Sequence, residues 1–262
     1  MAELPAVVLR AAAGDRPFRL ARRAPARELT DVVGHFWSVE WSLRAGTHHD
    51  QAVISHPCGH LTVQEDGAWL QGVVTRRFEV RLEGAGRAVS AHLRPSALSA
   101  LTAVPPARLT DRRLPLAEVL PDAPDLAKVY AAESQAAGMD ALEDWFRRLG
   151  PTRRRGAELV DEAVDLIAAR TDLTRVDVLA AELRVTVRTL QRRFDRHLGV
   201  GPKWVLRRCR IQDALGVIEA GGEVDCAGLA VELGFADQSH FTNAFSALVG
   251  VPPGEYTRRP QR

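Results

Sequence analysis

Cysteine is scarce in this chain: three residues, Cys58, Cys209 and Cys226, are scattered through 262 positions. An odd and dispersed set builds neither a disulfide framework nor a CxxC zinc site. No apolar run approaches the roughly 18 residues of a membrane-spanning helix, so no membrane partner is expected. The opening Met1-Ala2-Glu3-Leu4-Pro5 lacks the basic start and long apolar core of a secretory signal. The cytoplasm is therefore the expected compartment. What is present is ordinary for a soluble globular protein, 46% hydrophobic and 26% charged residues. The length suffices for two modest domains, each with its own core.

The net charge of +2 says little, but its distribution is uneven. Residues 1–150 balance 18 basic against 18 acidic side chains, residues 151–210 carry 14 against 8, and residues 211–262 carry 3 against 7. From Arg184 to Arg210 there are nine basic residues and one acid, Asp195. On a helix such a block suits a phosphate-facing surface. On charge alone, a solvated helix face is the simpler reading.

Along the first hundred residues, 35–41, 53–55 and 61–64 are short, β-prone and bounded by Gly, Pro or Asp. Glu65-Asp66-Gly67 reads as a hairpin turn and Glu83-Gly84-Ala85-Gly86 as another. This pattern predicts a small barrel or sandwich. Residues 96–103 predict a short helix capped by Ser96 and ended by Pro105-Pro106. Helical spacing runs from Leu126 to Leu149, with a break expected near Gly138. Pro151-Thr152-Arg153-Arg154-Arg155-Gly156 is the expected linker. Beyond it, Leu159, Val160, Ala163, Val164 and Ile167 open a region that is helical throughout.

The carboxy-terminal part repeats itself. Ala180-Ala181-Glu182-Leu183 returns as Ala230-Val231-Glu232-Leu233, offset by 50. Leu190, Phe194, Gly199, Val200 and Pro202 return as Phe241, Phe245, Gly250, Val251 and Pro253, offset by 51. The extra residue falls in the turn between helices, where insertion costs least. Each copy reads as a short helix, a turn and a second helix, spanning residues 176–198 and 225–249. A small Ala lets the two helices cross closely, and an apolar residue after the turn plugs it. That is a helix-turn-helix, whose second helix suits a major groove. Residues 202–218 read as one long helix with Pro202 at its start and Gly221-Gly222 beyond its end, a rod holding the units at fixed separation. The expected class is α+β: a β-rich, barrel-like domain with helices over 1–150, a linker over 151–156, and an all-α domain of seven helices over 157–262.

These residues carry a family resemblance. Leu190-Gln191-Arg192-Arg193-Phe194, Leu198-Gly199-Val200-Gly201-Pro202, Leu233-Gly234-Phe235, Asp237-Gln238-Ser239-His240-Phe241 and Gly250-Val251-Pro252-Pro253-Gly254-Glu255-Tyr256 resemble the DNA-binding domain of the AraC/XylS regulators. The resemblance covers roughly 157–258 and implies a sequence-specific transcription regulator, more often an activator, with recognition helices in successive major grooves. It implies base reading by Arg188, Gln191 and Arg192 in the first unit and by Gln238, Ser239, Thr242 and Asn243 in the second. Arg184, Arg193, Arg196 and Lys203 are the expected phosphate contacts. The chemistry suits the residue types: Arg pairs bidentately with guanine and Gln with adenine, and 188, 191 and 192 share one helix face. The competing reading of Arg192 is a surface ion pair with Asp195. Leu190, Phe194, Phe241 and Phe245 read as core. One departure stands out. From Ile211 to Thr257 there is no Lys or Arg but seven acids, and Asn243 stands where many relatives are basic. The first unit is therefore expected to supply most of the affinity, the second mainly register.

By the same resemblance the amino-terminal half is a sensor or dimerisation module. Arg94-Pro95-Ser96 to Pro105, Leu109-Thr110-Asp111 and Leu114-Pro115-Leu116 resemble a subgroup whose sensor domain is poorly characterised. Double-stranded DNA is the implied partner, with RNA polymerase, a small-molecule effector and a second copy of the chain as further candidates. Trp37, Trp41 and Trp69 are candidates for an effector pocket, although Trp37, Val39 and Trp41 equally suit a core face. His56, Cys58 and His60 alternate just after His48 and His49, a pattern able to bind zinc or copper. Pro57 and Gly59 favour a loop with hydrogen-bonded histidines instead, so no metal or cofactor is expected. Cys58 has no basic partner in sequence to activate it. A cupin-like metal enzyme or metal sensor fused to a DNA-binding module is the alternative reading, but the usual HxH, Glu and later His arrangement is missing. A methyltransferase with a four-Cys zinc site is excluded by the cysteine count. No enzyme is expected. Leu142–Leu149, with Trp145 and Phe146, either dimerises or closes the first domain.

Overall fold

The computed structural model describes residues 7–8, 17–220 and 225–258. The amino-terminal half holds β1 (Val7–Val8), β2 (Phe18–Arg23), β3 (Val33–Ser42), β4 (His48–Ile54), β5 (His60–Gln64) and β6 (Gly67–Gln71). It continues with β7 (Phe78–Glu83), β8 (Ala85–Leu93), α1 (Leu98–Leu101), β9 (Arg113–Pro115), α2 (Leu116–Val119), α3 (Ala127–Tyr130) and α4 (Gln135–Leu149). Two antiparallel sheets form, ordered β1-β4-β7 and β2-β3-β8-β5-β6-β9. The expected turns close β5 onto β6, where Gln64 faces Gly67, and lead from β7 to β8 through Gly84 at φ +56°.

The larger sheet has two working faces because side chains alternate along a strand. On β3, Phe36 and Ser38 are buried, and Phe36 meets Phe146 of α4 edge-to-face at 5.9 Å. Trp37, Val39 and Trp41 point the other way, into the space between the sheets. Leu142, Trp145 and Phe146 are fully buried in this core, so the amphipathic stripe of α4 closes the first half.

Two local expectations need correction. α4 runs unbroken through Gly138, and the interruption lies before Gln135, where Ser134 caps the helix by accepting from the Ala137 N–H at 3.2 Å. Gly138 serves packing: a Cβ there would lie 2.8 Å from Val89 Cγ2 on β8. Ser96 does not cap α1. Its hydroxyl instead donates to Asp161, at 2.8 Å.

After residue 157 come α5 (Glu158–Ala169), α6 (Val176–Glu182), α7 (Val187–His197), α8 (Pro202–Glu219), α9 (Cys226–Glu232), α10 (Gln238–Val249) and α11 (Pro253–Arg258). Gly221-Gly222, expected past the end of α8, lie outside the described residues. The sequence repeat returns as a backbone repeat. Val185 N–H donates to Ala180 O and Phe235 N–H to Ala230 O, both at 2.9 Å. Arg184 N–H donates to Ala181 O and Gly234 N–H to Val231 O, both at 3.0 Å. Each turn needs a left-handed residue, supplied by Arg184 at φ +54° and Gly234 at φ +73°.

That comparison gives a prediction. A side chain in the left-handed region is strained by the clash of its Cβ with the carbonyl. Arg184→Gly is expected to raise the stability of the chain by about 0.5–1 kcal/mol, read as a higher urea midpoint with unchanged slope. Gly234→Ala is expected to lower it, since the new Cβ would lie 2.5 Å from Thr174 Cβ.

The two halves do not keep wholly separate cores. Val73 packs in the cluster of the first helix-turn-helix, and Ala52 and Ile54 of β4 pack in that of the second. The expectation of one self-contained core per domain is thus modified by shared packing.

Candidate nucleic-acid interface

The two second helices, α7 and α10, start alike. Thr186 Oγ1 accepts from the Thr189 N–H at 3.1 Å, and Asp237 Oδ1 accepts from the His240 N–H at 2.7 Å. Such caps satisfy an end that has lost its intrahelical partners. Each helix then buries one stripe: Leu190 and Phe194 on α7, Phe241 and Phe245 on α10, all at 0% exposure. The opposite faces are left to solvent. On α7, Arg188, Gln191, Arg192 and Arg196 are exposed, and neither Arg188 nor Arg192 has an ion-pair partner among the described residues. On α10, Gln238, Ser239 and Asn243 are exposed and Thr242 is half-buried beside them.

Of the other expected phosphate contacts, Arg184 sits exposed in the turn and Lys203 exposed on the first turn of α8. Arg193 is turned away: it donates to Arg155 O at 3.4 Å, and its guanidinium covers Gly156. The basic block is also less of a surface than its spacing suggested. Arg208 and Arg210 are 3% and 1% exposed. Arg210 donates to Ile167 O at 2.5 Å and pairs with Asp213 at 3.1 Å. Burial lowers Arg208 to about 10, and it donates to Ser55 O at 2.7 Å from Nη2 and 3.2 Å from Nε. Its ring neighbour is Trp204.

Helices α5 and α7 are tied to the amino-terminal half. His197, the last residue of α7, shares a 2.8 Å hydrogen bond between Nδ1 and Ser99 Oγ. Gly199, left-handed at φ +88°, lies so close to Pro106 that a Cβ would sit 2.5 Å from its carbonyl carbon. Asp161 of α5 accepts from Ser96 N–H at 3.0 Å and from its hydroxyl, while Arg94 pairs with Asp165 at 2.8 Å. Sequence periodicity marks none of these contacts, because each joins residues far apart in the chain.

Between the sheets lies a cavity of about 220 Å³. Trp37 and Trp41 line it, but Trp69 does not: Arg113 is laid over its ring at 4.3 Å. At one end His35, His60 and His92 form a ladder across β3, β8 and β5, since His92 is paired with both His35 and His60. His35 stacks on His92 at 4.4 Å, and His56 meets His92 edge-on at 5.0 Å. Burial, reinforced by neighbouring imidazoles, pushes His56 down to about 3, His60 to about 4 and His92 well below the usual imidazole range. Behind them, Cys58 Sγ lies 3.1 Å from His92 Nε2 and 3.7 Å from His60 Nε2. The sequence-level candidate set of His56, Cys58 and His60 is thus replaced by Cys58, His60 and His92. No helix among the described residues is long and apolar enough to cross a membrane.

Residues 179–259, which hold most of both units, match the profile of a helix-turn-helix domain. An AraC-like transcription regulator from Streptomyces lividans is 34% identical over 82 residues, 31% of this chain and 27% of the relative. Residues 179–259 are an AraC-type helix-turn-helix domain. Residues 21–115 match a domain of unknown function (DUF6597). Among solved structures similar to the chain, the C-terminal domain of AraT from Geobacillus stearothermophilus is 23% identical, covering 42% of this chain and 91% of that one at a TM-score of 0.36. The DNA-binding domain of AdpA, solved with a target DNA, is 27% identical over 40% of this chain and 96% of its own, at 0.32. ToxT from Vibrio cholerae is 14% identical over 92% of this chain and 98% of its own, at 0.38. The match leaves most of the curated relative's length outside what this chain spans.

Proposed function

We propose that this chain is a cytoplasmic, sequence-specific transcription regulator that reads double-stranded DNA with α7 and α10. The supporting observation is the repeated unit: two turns with matching hydrogen bonds, each followed by a capped helix with one buried stripe and one exposed polar face. Arg188, Gln191 and Arg192 read bases from the first unit; Gln238, Ser239, Thr242 and Asn243 read from the second. Arg184, Arg196 and Lys203 hold phosphates, with Arg193 bracing the linker instead. The cavity, walled by Trp37 and Trp41, receives a small-molecule effector, and its signal reaches α7 through the contacts of Ser99 and Pro106. RNA polymerase and a second copy of the chain are the protein partners this role calls for. An enzyme reading is less well supported, because the recognisable carboxy-terminal domain is a DNA reader.

The test starts with a site selected by the full chain from random-sequence DNA. Arg188→Ala and Arg192→Ala are each expected to weaken that site by about 1–3 kcal/mol relative to random competitor. Arg196→Ala is expected to weaken both alike and reduce the salt slope by roughly 0.9. Ser239→Ala and Asn243→Ala are expected to cost less than the Arg changes, because α10 has no cation to hold phosphate. Unchanged discrimination in Arg188→Ala and Arg192→Ala together overturns the assignment.

A further inference from the structure

We propose that Cys58, His60 and His92 form a transition-metal site of the zinc class, open toward the cavity between the sheets. Strand register creates it. His60 on β5 stands opposite His92 on β8, so both imidazoles leave the same face, and Cys58 is brought behind them by the turn that precedes β5. The Cys58 sulfur is 3.1 Å and 3.7 Å from the two Nε2 atoms, and all three ligand atoms fall within 4.8 Å of one another. Tetrahedral zinc, with bonds of about 2.3 Å to sulfur and 2.0–2.1 Å to nitrogen, sets edges of roughly 3.4–3.6 Å. The two sulfur–nitrogen separations bracket that range, and the third edge is no longer than 4.8 Å.

Hydrogen bonding alone serves this cluster poorly. When both rings carry their proton on Nδ1, the single thiol proton reaches only one of the two Nε2 lone pairs and leaves the other without a donor. A cation satisfies the sulfur and both nitrogens together. One thiolate with two imidazoles selects zinc-like ions over magnesium or calcium, which prefer oxygen. Both imidazoles line the cavity, leaving a fourth position for water or for a donor atom of a cavity ligand, as in zinc sites that exchange ligands. Binding replaces the S–H bond by a sulfur–metal bond and releases the proton to solvent, so the site gains one positive charge when a divalent ion enters. Arg208 of α8 donates to Ser55 O, three residues before Cys58, and so joins this end of the cavity to the carboxy-terminal half. The metal site stands independently of the DNA-reading assignment.

Titrating the full, metal-free chain with Co²⁺ tests it. The expected result is one equivalent bound, with a thiolate-to-cobalt charge-transfer band and the intense visible bands of tetrahedral cobalt, both displaced by Zn²⁺. Cys58→Ser is expected to abolish the charge-transfer band, and Cys226→Ser to leave it intact. Cys209 is not a competitor, because burial pushes its thiol up to about 12. His92→Gln is expected to weaken binding by more than the roughly 10–100-fold lost with a supporting partner. If Cys58→Ser fails to fold, judged by circular dichroism without metal, loss of the visible bands in His60→Gln serves in its place. A wild-type chain that shows no charge-transfer band, a band that survives Cys58→Ser, or visible bands unchanged in His60→Gln would overturn the site.

Discussion

Lowering the pH from about 7.5 to about 5 is expected to unfold the metal-free chain over a narrow interval, well before most carboxylates titrate. The cause is the histidine cluster between the sheets. His60 falls to about 4 and His56 to about 3 in the folded state, against an ordinary value of 6.5, chiefly because burial denies a charged ring its water. In the unfolded chain these rings protonate near 6.5; in the folded chain they stay neutral much further down. The unfolded state therefore binds more protons across that window, and stability rises with pH there. The contribution is fully present above 6.5 and is lost as pH falls toward 4 and then 3. By about pH 4.5 each such ring costs on the order of 2–3 kcal/mol, and His92 adds to the same side. Against a typical domain stability of about 5–15 kcal/mol, two or three rings are decisive. Urea midpoints at several pH values would measure this. His60→Gln and His92→Gln are each expected to flatten the dependence, and a midpoint as high at pH 5 as at pH 7.5 would sink the idea. Bound Zn²⁺ is expected to shift the loss to lower pH, since protons and metal compete for the same lone pairs.

The histidine cluster also shows where a sequence stops being legible. The two helix-turn-helix units could be read because their information is local: Ala180 and Ala230, Phe194 and Phe245 recur at nearly constant spacing, and each copy folds on contacts within a few turns. The exposure of Arg188, Gln191, Arg192, Gln238, Ser239 and Asn243 follows from the same period, since residues alternate faces every three or four positions. His92 was invisible as a partner of Cys58 because only the β5–β8 register brings it there, and register is set by the whole sheet. His56, nearer in sequence, meets His92 edge-on at 5.0 Å and stands outside the group of Cys58, His60 and His92. Arg193, Arg208 and Arg210 misled for a related reason. A charge count assigns every arginine to the surface, whereas Arg208 and Arg210 spend their charge on backbone carbonyls of distant segments. Cys58, apparently without a basic neighbour, acquires Arg208 in the same way. Trp69 looked like a pocket residue by type, but Arg113 covers it.

Another long-range contact lies at Asp161, where removing one side chain is expected to uncouple the two halves. Asp161 is 3% exposed, and accepts from both the backbone and the hydroxyl of Ser96, with Arg94 at 3.9 Å. Asp161→Ala leaves two buried donors without an acceptor, each worth about 1–3 kcal/mol, and a loss of about 2–4 kcal/mol is expected. Asp161→Asn separates hydrogen bonding from charge. Burial raises the Asp161 carboxyl above its ordinary range despite the lowering influence of Arg94 and Ser96, so its charged form is the costly one in the folded state. For such an acid the folded chain binds the proton more tightly, and stability rises as pH falls. An amide keeps an acceptor for Ser96 without that charge, and Arg94 retains Asp165, so Asp161→Asn is expected to cost well under half of what alanine costs. If Asp161 is the clasp, calorimetry of Asp161→Ala should resolve two transitions where the parent shows one, because Ser99 and Pro106 would no longer hold α7 against a fixed surface. Equal losses in Asp161→Ala and Asp161→Asn would instead make the ion pair with Arg94, and not the bonds to Ser96, the joint between the halves.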